Sequence, residues 1–371
     1  MMSEVTSLVP GGHDSSAPHS RACSTFMLSR GQELVAGHNL DLPRQVPGMI
    51  VINKRGVSKA SCSWHELLTS EEPVSPRIGW VSKYGSVTFN PIGREFPDGG
   101  INEAGLSIHE MTLSETEYPE DDTVPCMFMA QWVQYVLDSF ESVEQVLGSA
   151  TQIVLDGWGW HFFVSDREEG CAIIEFLDGE PVIHAGQSVP VHALCNTQYA
   201  HEIEQLRGYK GFGGNQDIDL GDKNLPRFVH AAHMLGNLDA VAPASLVDYG
   251  FDILGTVERG ITQWSYVIDV PQLRVYFRTS VAKKMKHLDL GAFDFSCETP
   301  VEVLDIDSGL TGDVSAHFSA HTPKINRQFI VKSFESAFSS PDFEEIIGSR
   351  CDSVDQLIDR MANYPETTVC G

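Results

Sequence analysis

The chain has 371 residues, 42% of them hydrophobic, with 51 acidic against 25 basic side chains and a formal net charge of −26. That is enough apolar material for a sizeable core, in one large domain or two small ones. No run of Lys or Arg is long enough to track a phosphate backbone, and no stretch approaches the about 18 consecutive apolar residues of a membrane helix, so neither nucleic acid nor a membrane is an expected partner.

Met1 to Ala22 form a leader rich in Ser, Gly, Pro and His, whose longest apolar run is Leu8-Val9-Pro10. That is no secretory signal core, and a cytoplasmic start is expected. Cys23 to Leu28 and Leu34 to Asn39 then read as two strands joined by Ser29-Arg30-Gly31-Gln32, a hairpin with Gly at its bend. Met49 to Ile52 and Tyr84 to Phe89 continue the β signal, Asp98-Gly99-Gly100 reads as a turn, and Leu106-Ser107-Ile108 as a further strand. From Pro125 the spacing of Met129, Trp132, Val133, Val136, Leu137 and Phe140 is helical, with Pro near the first turn, and Ser142 is placed to cap a second helix.

Strands resume at Trp160 to Val164, Cys171 to Phe176 and Pro181 to His184, an antiparallel meander. Helices are expected over Arg227 to Leu235 and Leu246 to Leu254, and a hairpin over Tyr266 to Asp269 and Arg274 to Arg278. The last fifty or so residues look helical and more polar. Strand pairs with grouped helices argue for an α+β layered domain.

The eight cysteines show no C-x-x-C spacing, and most are expected to stay reduced. His201-Glu202 lacks the second His of a zinc helix and His230/His233 lacks a third ligand, so no metal is expected. Gly211-Phe212-Gly213-Gly214 lacks the strand and helix of a phosphate loop and reads as a mobile loop lining a substrate entrance. Trp158, Trp160 and Trp264 are expected in the core.

Ala22-Cys23-Ser24-Thr25 lies where the polar leader meets the first strand. A thiol beside a free α-amine can use that amine as its own base, since the two groups titrate near 8.5 and 8. By itself, however, one cysteine of eight reads as a buried small hydrophobe.

Cys23-Ser24-Thr25-Phe26 followed by Gly37-His38-Asn39-Leu40-Asp41 resembles the opening of the choloylglycine hydrolase and penicillin V acylase family, whose second block reads Gly-Arg-Asn-x-Asp. Gly100-Ile101-Asn102-Glu103-Ala104-Gly105-Leu106 is similar to that family's Gly-Met-Asn-Glu-x-Gly-Leu. Leu194-Cys195-Asn196-Thr197 falls where the family carries an oxyanion-hole asparagine, and Arg227-Phe228-Val229-His230-Ala231 resembles its Arg-Phe-Val-Arg-Ala helix start. Thr262-Gln263-Trp264-Ser265 and Val275-Tyr276-Phe277 fit its final hairpin. Each block alone is weak; their order and spacing carry the likeness.

The resemblance implies a four-layer αββα Ntn-hydrolase sandwich with two antiparallel sheets. It divides the chain into a cleavable propeptide at 1–22, a catalytic domain at 23–316 and a helical extension of that domain at 317–371. It makes Cys23 the nucleophile with its α-amine as base, after the chain cuts itself before Cys23. Asp41 would orient the amine or thiol, Asn196 would donate to the oxyanion, a contact contributing roughly 3 kcal/mol, and Arg227 would support the thiolate or the substrate.

Two positions depart from the family pattern. His38 replaces the arginine after a hairpin one residue shorter, and a histidine there titrates near neutrality, so charge-dependent steps are expected to vary with pH. Thr112 falls where an oxyanion asparagine is frequent, offering its hydroxyl or a nearby backbone N–H. The implied activity is hydrolysis of a linear N-acyl amide of the penicillin V, bile-salt, N-acyl amino acid or acyl lactone type, without a cofactor and in a homo-oligomer, a tetramer by resemblance. An acyltransferase of the same architecture and a non-catalytic binding protein are the competing readings.

Overall fold

The computed structural model describes residues 23–69, 75–121, 123–336, 347, 351 and 353–371. The leader at 1–22 lies outside them. Two sheets dominate. The first is seven-stranded, in the order Ala193–Leu194, Ser24–Arg30, Glu33–Asp41, Thr262–Asp269, Arg274–Thr279, Lys286–Asp289 and Gly312–Asp313. The second is nine-stranded, in the order Glu180–Ala185, Cys171–Leu177, Trp160–Ser165, Ser107–Thr112, Gly99–Asn102, Ser86–Asn90, Met49–Asn53, Glu302–Asp305 and Ser319–Ala320. Pairing is antiparallel throughout both, except for Lys286–Asp289 with Gly312–Asp313 at the edge of the first.

The sheets stack face to face. Phe89 of the second lies flat on Tyr266 of the first, with ring centroids 4.0 Å apart, and Trp264 Nε1 donates to Asp98 at 3.3 Å across the gap. Alternation along each strand decides what each side chain buries. In the second sheet Phe163 and Ile173 join the core shared with the first sheet, while Phe162, Val164 and Ile174 face the outer helices. Helices Arg227–Gly236 and Leu246–Val257 cover the outer face of the first sheet, and Met129–Ser139, Pro323–Ser336 and Val354–Asn363 cover that of the second. The result is the expected order helix, sheet, sheet, helix. Among the described residues no helix is long and apolar enough to cross a membrane.

Several local readings hold. The first hairpin turns at Gly31 with φ +63°, and Ser142 caps Val143–Ser149 by accepting from the Gln145 N–H. Two do not. Gly99-Gly100 is strand rather than turn: a Cβ on Gly100 would sit 2.2 Å from the Val87 carbonyl oxygen, so glycine is required there by strand packing. Pro125 precedes the short strand Cys126–Phe128 and lies outside the helix, which starts only at Met129. The helical stripe is real, but a parallel pairing of Cys126–Phe128 with Val154–Asp156 claims the residues before it.

Six cysteines stay outside disulfides, and Cys297 is bonded to Cys370, a pairing across 73 residues that no local spacing could reveal. The bond fastens the chain end, whose Val369–Cys370 pairs with Val57–Ala60 in a three-stranded sheet. Nearby, Lys59 is buried between the carboxylates of Glu95 at 2.6 Å and Asp138 at 2.9 Å.

Candidate active site

Cys23 stands immediately before the first strand and is 1% exposed. Its neighbours come from four further elements. Asp41 ends the second strand, where a register shift in the pairing with Thr262–Asp269 places the Thr262 hydroxyl to donate to Asp41 Oδ1. Asn196 follows the short strand Ala193–Leu194, which pairs with Thr25 and Phe26. Arg227 opens a helix directly after Pro226, whose fixed φ suits a helix entry.

Arg227 gathers these groups. Its Nη1 donates to the Cys23 carbonyl at 2.7 Å and to Ser24 Oγ at 2.8 Å, and its Nη2 donates to Asn196 Oδ1 at 2.9 Å. Asp41 Oδ2 lies 3.9 Å from Nη1. A planar fork can serve several acceptors at once in this way; a lysine could not. With its oxygen held by Arg227, Asn196 must present its Nδ2, which donates to the Thr112 carbonyl at 2.7 Å. An amide nitrogen carries two hydrogens, so one remains for a ligand.

The electrostatics keep the thiol protonated. Burial pushes Cys23 well above its ordinary value, and the Glu110 and Asp41 carboxylates add to this, while a backbone hydrogen bond at Asp41 and the Arg227 charge act in the opposite direction. Burial also raises Asp41, from 3.8 to about 6, against the pull of the Thr262 hydroxyl and Arg227. Thr112 brings its backbone carbonyl to Asn196, where its hydroxyl or a nearby N–H had been expected to act.

His38 is placed differently. It is fully buried between the sheets, stacked on His109 with ring centroids 5.2 Å apart and 3.9 Å from Asp98 Oδ2, and neither ring nitrogen has a hydrogen-bond partner among the described residues. Burial, then His109, pushes it well below its ordinary value. The expectation that it titrates near neutrality therefore fails: a dry site between two sheets disfavours the imidazolium.

A cavity of about 750 Å³ opens beside Asn196 and Arg227, walled further by Thr197, Glu202, Lys223 and Arg259. Cys23 lies behind Asn196 and Arg227 and is not part of this wall. The 211–214 loop does not line the cavity either; Phe212 instead borders a separate pocket with Met27 and Leu235. The nearest approach to a metal-binding group among the described residues, His287, Asp289 and Asp313, sits at the far edge of the first sheet with Asp289 already paired to Arg274.

The sequence reading passed over Ser24, Thr262, Glu110 and Arg259. Thr262 was within a recognised block but had no assigned role. Glu110 had a signal, since a carboxylate in the otherwise buried strand Ser107–Thr112 requires a reason to be there.

A penicillin V acylase from Pectobacterium atrosepticum is 26% identical over 295 residues, covering 66% of this chain and 78% of its own. The penicillin V acylase structure from Agrobacterium tumefaciens superposes with a TM-score of 0.70 at 23% identity, covering 81% of this chain and 98% of the other. A mutant of the conjugated bile acid hydrolase from Clostridium perfringens superposes with a TM-score of 0.62 at 17% identity, covering 78% and 98%. These two share the Ntn-hydrolase fold. The family model for linear amide C–N hydrolases of the choloylglycine hydrolase family matches residues 23–247, more than half of the chain, beginning at Cys23 itself. The chain therefore belongs to the choloylglycine hydrolase family and is a hydrolase of linear amide C–N bonds.

Proposed function

We propose that Cys23 is the nucleophile of an N-acyl amide hydrolase that becomes active when the chain removes its own residues 1–22. The observation that carries this reading is the Arg227 fork, which ties the Cys23 carbonyl to the Asn196 amide and so holds a nucleophile next to an oxyanion donor. The protonated state of the thiol supports it too. A thiol kept neutral by burial needs a base in the same step, and the α-amine freed by cleavage is the nearest one.

In the maturation step Cys23 Sγ attacks the Ala22 carbonyl carbon. The C–N bond breaks, the nitrogen takes the thiol proton and becomes a free amine, and water hydrolyses the resulting thioester to release the leader. In turnover, Sγ attacks the substrate carbonyl while its proton passes to the α-amine. Asn196 Nδ2 donates to the oxyanion, and collapse expels the substrate's amine, which takes that proton. Water then cleaves the acyl-thioester. Asp41 holds the α-ammonium formed between these steps. Residues 23–316 supply all of these groups, and in the extension at 317–371 the described helices Pro323–Ser336 and Val354–Asn363 pack on the same domain.

The cavity wall narrows the substrate. Lys223, Arg227 and Arg259 face it, while burial pushes the Glu202 carboxyl well above its ordinary value and weakens it as a counter-charge. An amine half bearing a carboxylate or sulfonate fits, as in penicillin V, a conjugated bile acid or an N-acyl amino acid. The test is the intact mass of purified protein beside Cys23→Ala, with acid release from a panel of such amides and their neutral analogues. Loss of 22 residues in wild type alone, with the anionic members preferred, is the expected result. A leader kept by both proteins would overturn the reading.

A further inference from the structure

The loop carrying Asn196 is held from beneath by a buried pair outside the groups described so far. His161, fully buried in the strand Trp160–Ser165, points one ring nitrogen at the Cys195 carbonyl at 2.8 Å and the other at Glu175 Oε1 at 3.0 Å. A carbonyl has no proton to give, so Nε2 carries one. Glu175 is buried too, and the same Oε1 accepts the Tyr199 N–H at 3.0 Å, at the entry of the helix Tyr199–Leu206. The pair thus grips the segment Cys195–Tyr199 at both ends, with Asn196 in between.

The placement matters because this segment belongs to the first sheet and the pair to the second. Leu194 pairs with Thr25 at the edge of the first sheet, whereas His161 and Glu175 lie in adjacent strands of the second. Asn196 Nδ2 adds its bond to the Thr112 carbonyl, and Thr112 pairs with Trp160 next to His161. Three hydrogen bonds therefore strap the Cys195–Tyr199 segment to the opposite sheet and fix the position of Asn196. Burial raises Glu175, but His161, His184 and the Tyr199 N–H outweigh it and hold the carboxyl down at about 2, as a firmly engaged acceptor should be.

We propose that His161 and Glu175 are positioning residues for the reaction, fixing the Cys195-Asn196 peptide so that the free Asn196 amide hydrogen meets the oxyanion. This rests on the reading of Asn196 as oxyanion donor. Neither residue touches substrate. An oxyanion donor contributes about 10²–10³ in kcat, and a donor left loose forfeits part of that.

The test uses processed enzyme, with penicillin V and an N-acyl glycine as probes, and compares His161→Phe, His161→Gln, Asn196→Ala and the His161→Phe/Asn196→Ala double variant. His161→Phe is expected to lower kcat by about tenfold to a hundredfold with KM nearly unchanged. His161→Gln, which keeps a donor for the Cys195 carbonyl, should recover most of it. In the Asn196→Ala background His161→Phe should add little, since the group it positions is gone. Additive losses, or full kcat in His161→Phe, would overturn the inference while leaving Asn196 in place. If Asn196→Ala alone retains wild-type kcat, the oxyanion reading fails instead. Should His161→Phe not fold, Glu175→Leu and Glu175→Gln provide the same comparison from the other end of the pair.

Discussion

Above about pH 6 Asp41 is ionised in a place that resists ionisation, and that should show as lost stability. In the uncut chain its carboxyl is fully buried and raised from 3.8 to about 6. A group whose folded value lies above its unfolded one binds an extra proton in the native state between those two values. The stability this contributes is complete below about pH 4 and lost as pH rises through about 6, a loss of about 3 kcal/mol. Asn at this position still accepts from the Thr262 hydroxyl but carries no charge to desolvate. In a Cys23→Ala background, where no α-ammonium forms, Asp41→Asn should match its parent near pH 3.5 and exceed it by about 3 kcal/mol at pH 8. Urea denaturation across this range measures the gap. A gap that does not widen with pH, or a variant less stable at pH 8, would refute the argument that burial dominates this carboxyl. In the processed enzyme the neighbouring ammonium should cancel the gain, and hydrolysis should fall by about 10²-fold or more as the amine loses its orienting partner.

Other perturbations probe the frame around the site. Lys59→Met removes the cation shared by Glu95 and Asp138, leaving Arg94 beside Glu95 only, and should destabilise the protein by about 3 kcal/mol; adding Asp138→Asn should recover part of that in thermal denaturation. Cys370→Ser opens the loop closed by the disulfide and should remove about 4 kcal/mol, with kcat unchanged. Wild type treated with reductant should then denature at the same urea midpoint as the variant.

What the sequence made legible was whatever is local or ordered along the chain. The Cys23–Asp41 hairpin announces itself through alternation and Gly31, and Ser142 through capping chemistry. Asn196 and Arg227 could be picked out because their blocks fall in a fixed order, and the structure does bring them to Cys23. Contacts made by folding alone stayed hidden. Gly99-Gly100 looked like a turn because glycine signals turns locally, whereas the need for it comes from Val87 in the adjacent strand and Tyr266 in the facing sheet. His38 kept its model-peptide behaviour on paper because nothing in Gly37-His38-Asn39 tells that His109 and Asp98 will close over it. Thr262 and the Cys297–Cys370 bond depend on partners 221 and 73 residues away.

The dispersed origin of the site has a bearing on quality control. Cys23 is 1% exposed, and the residues around it arrive from the far end of the first hairpin, from the edge strand, from a flanking helix and from the central pair of the first sheet. If the chain cuts itself there, and the cut needs these groups in place, it can occur only after all of them have docked. Maturation would then act as an internal proofreading step in which half-folded chains stay inert. The fraction of uncut protein in a preparation would be a direct gauge of unfinished folding.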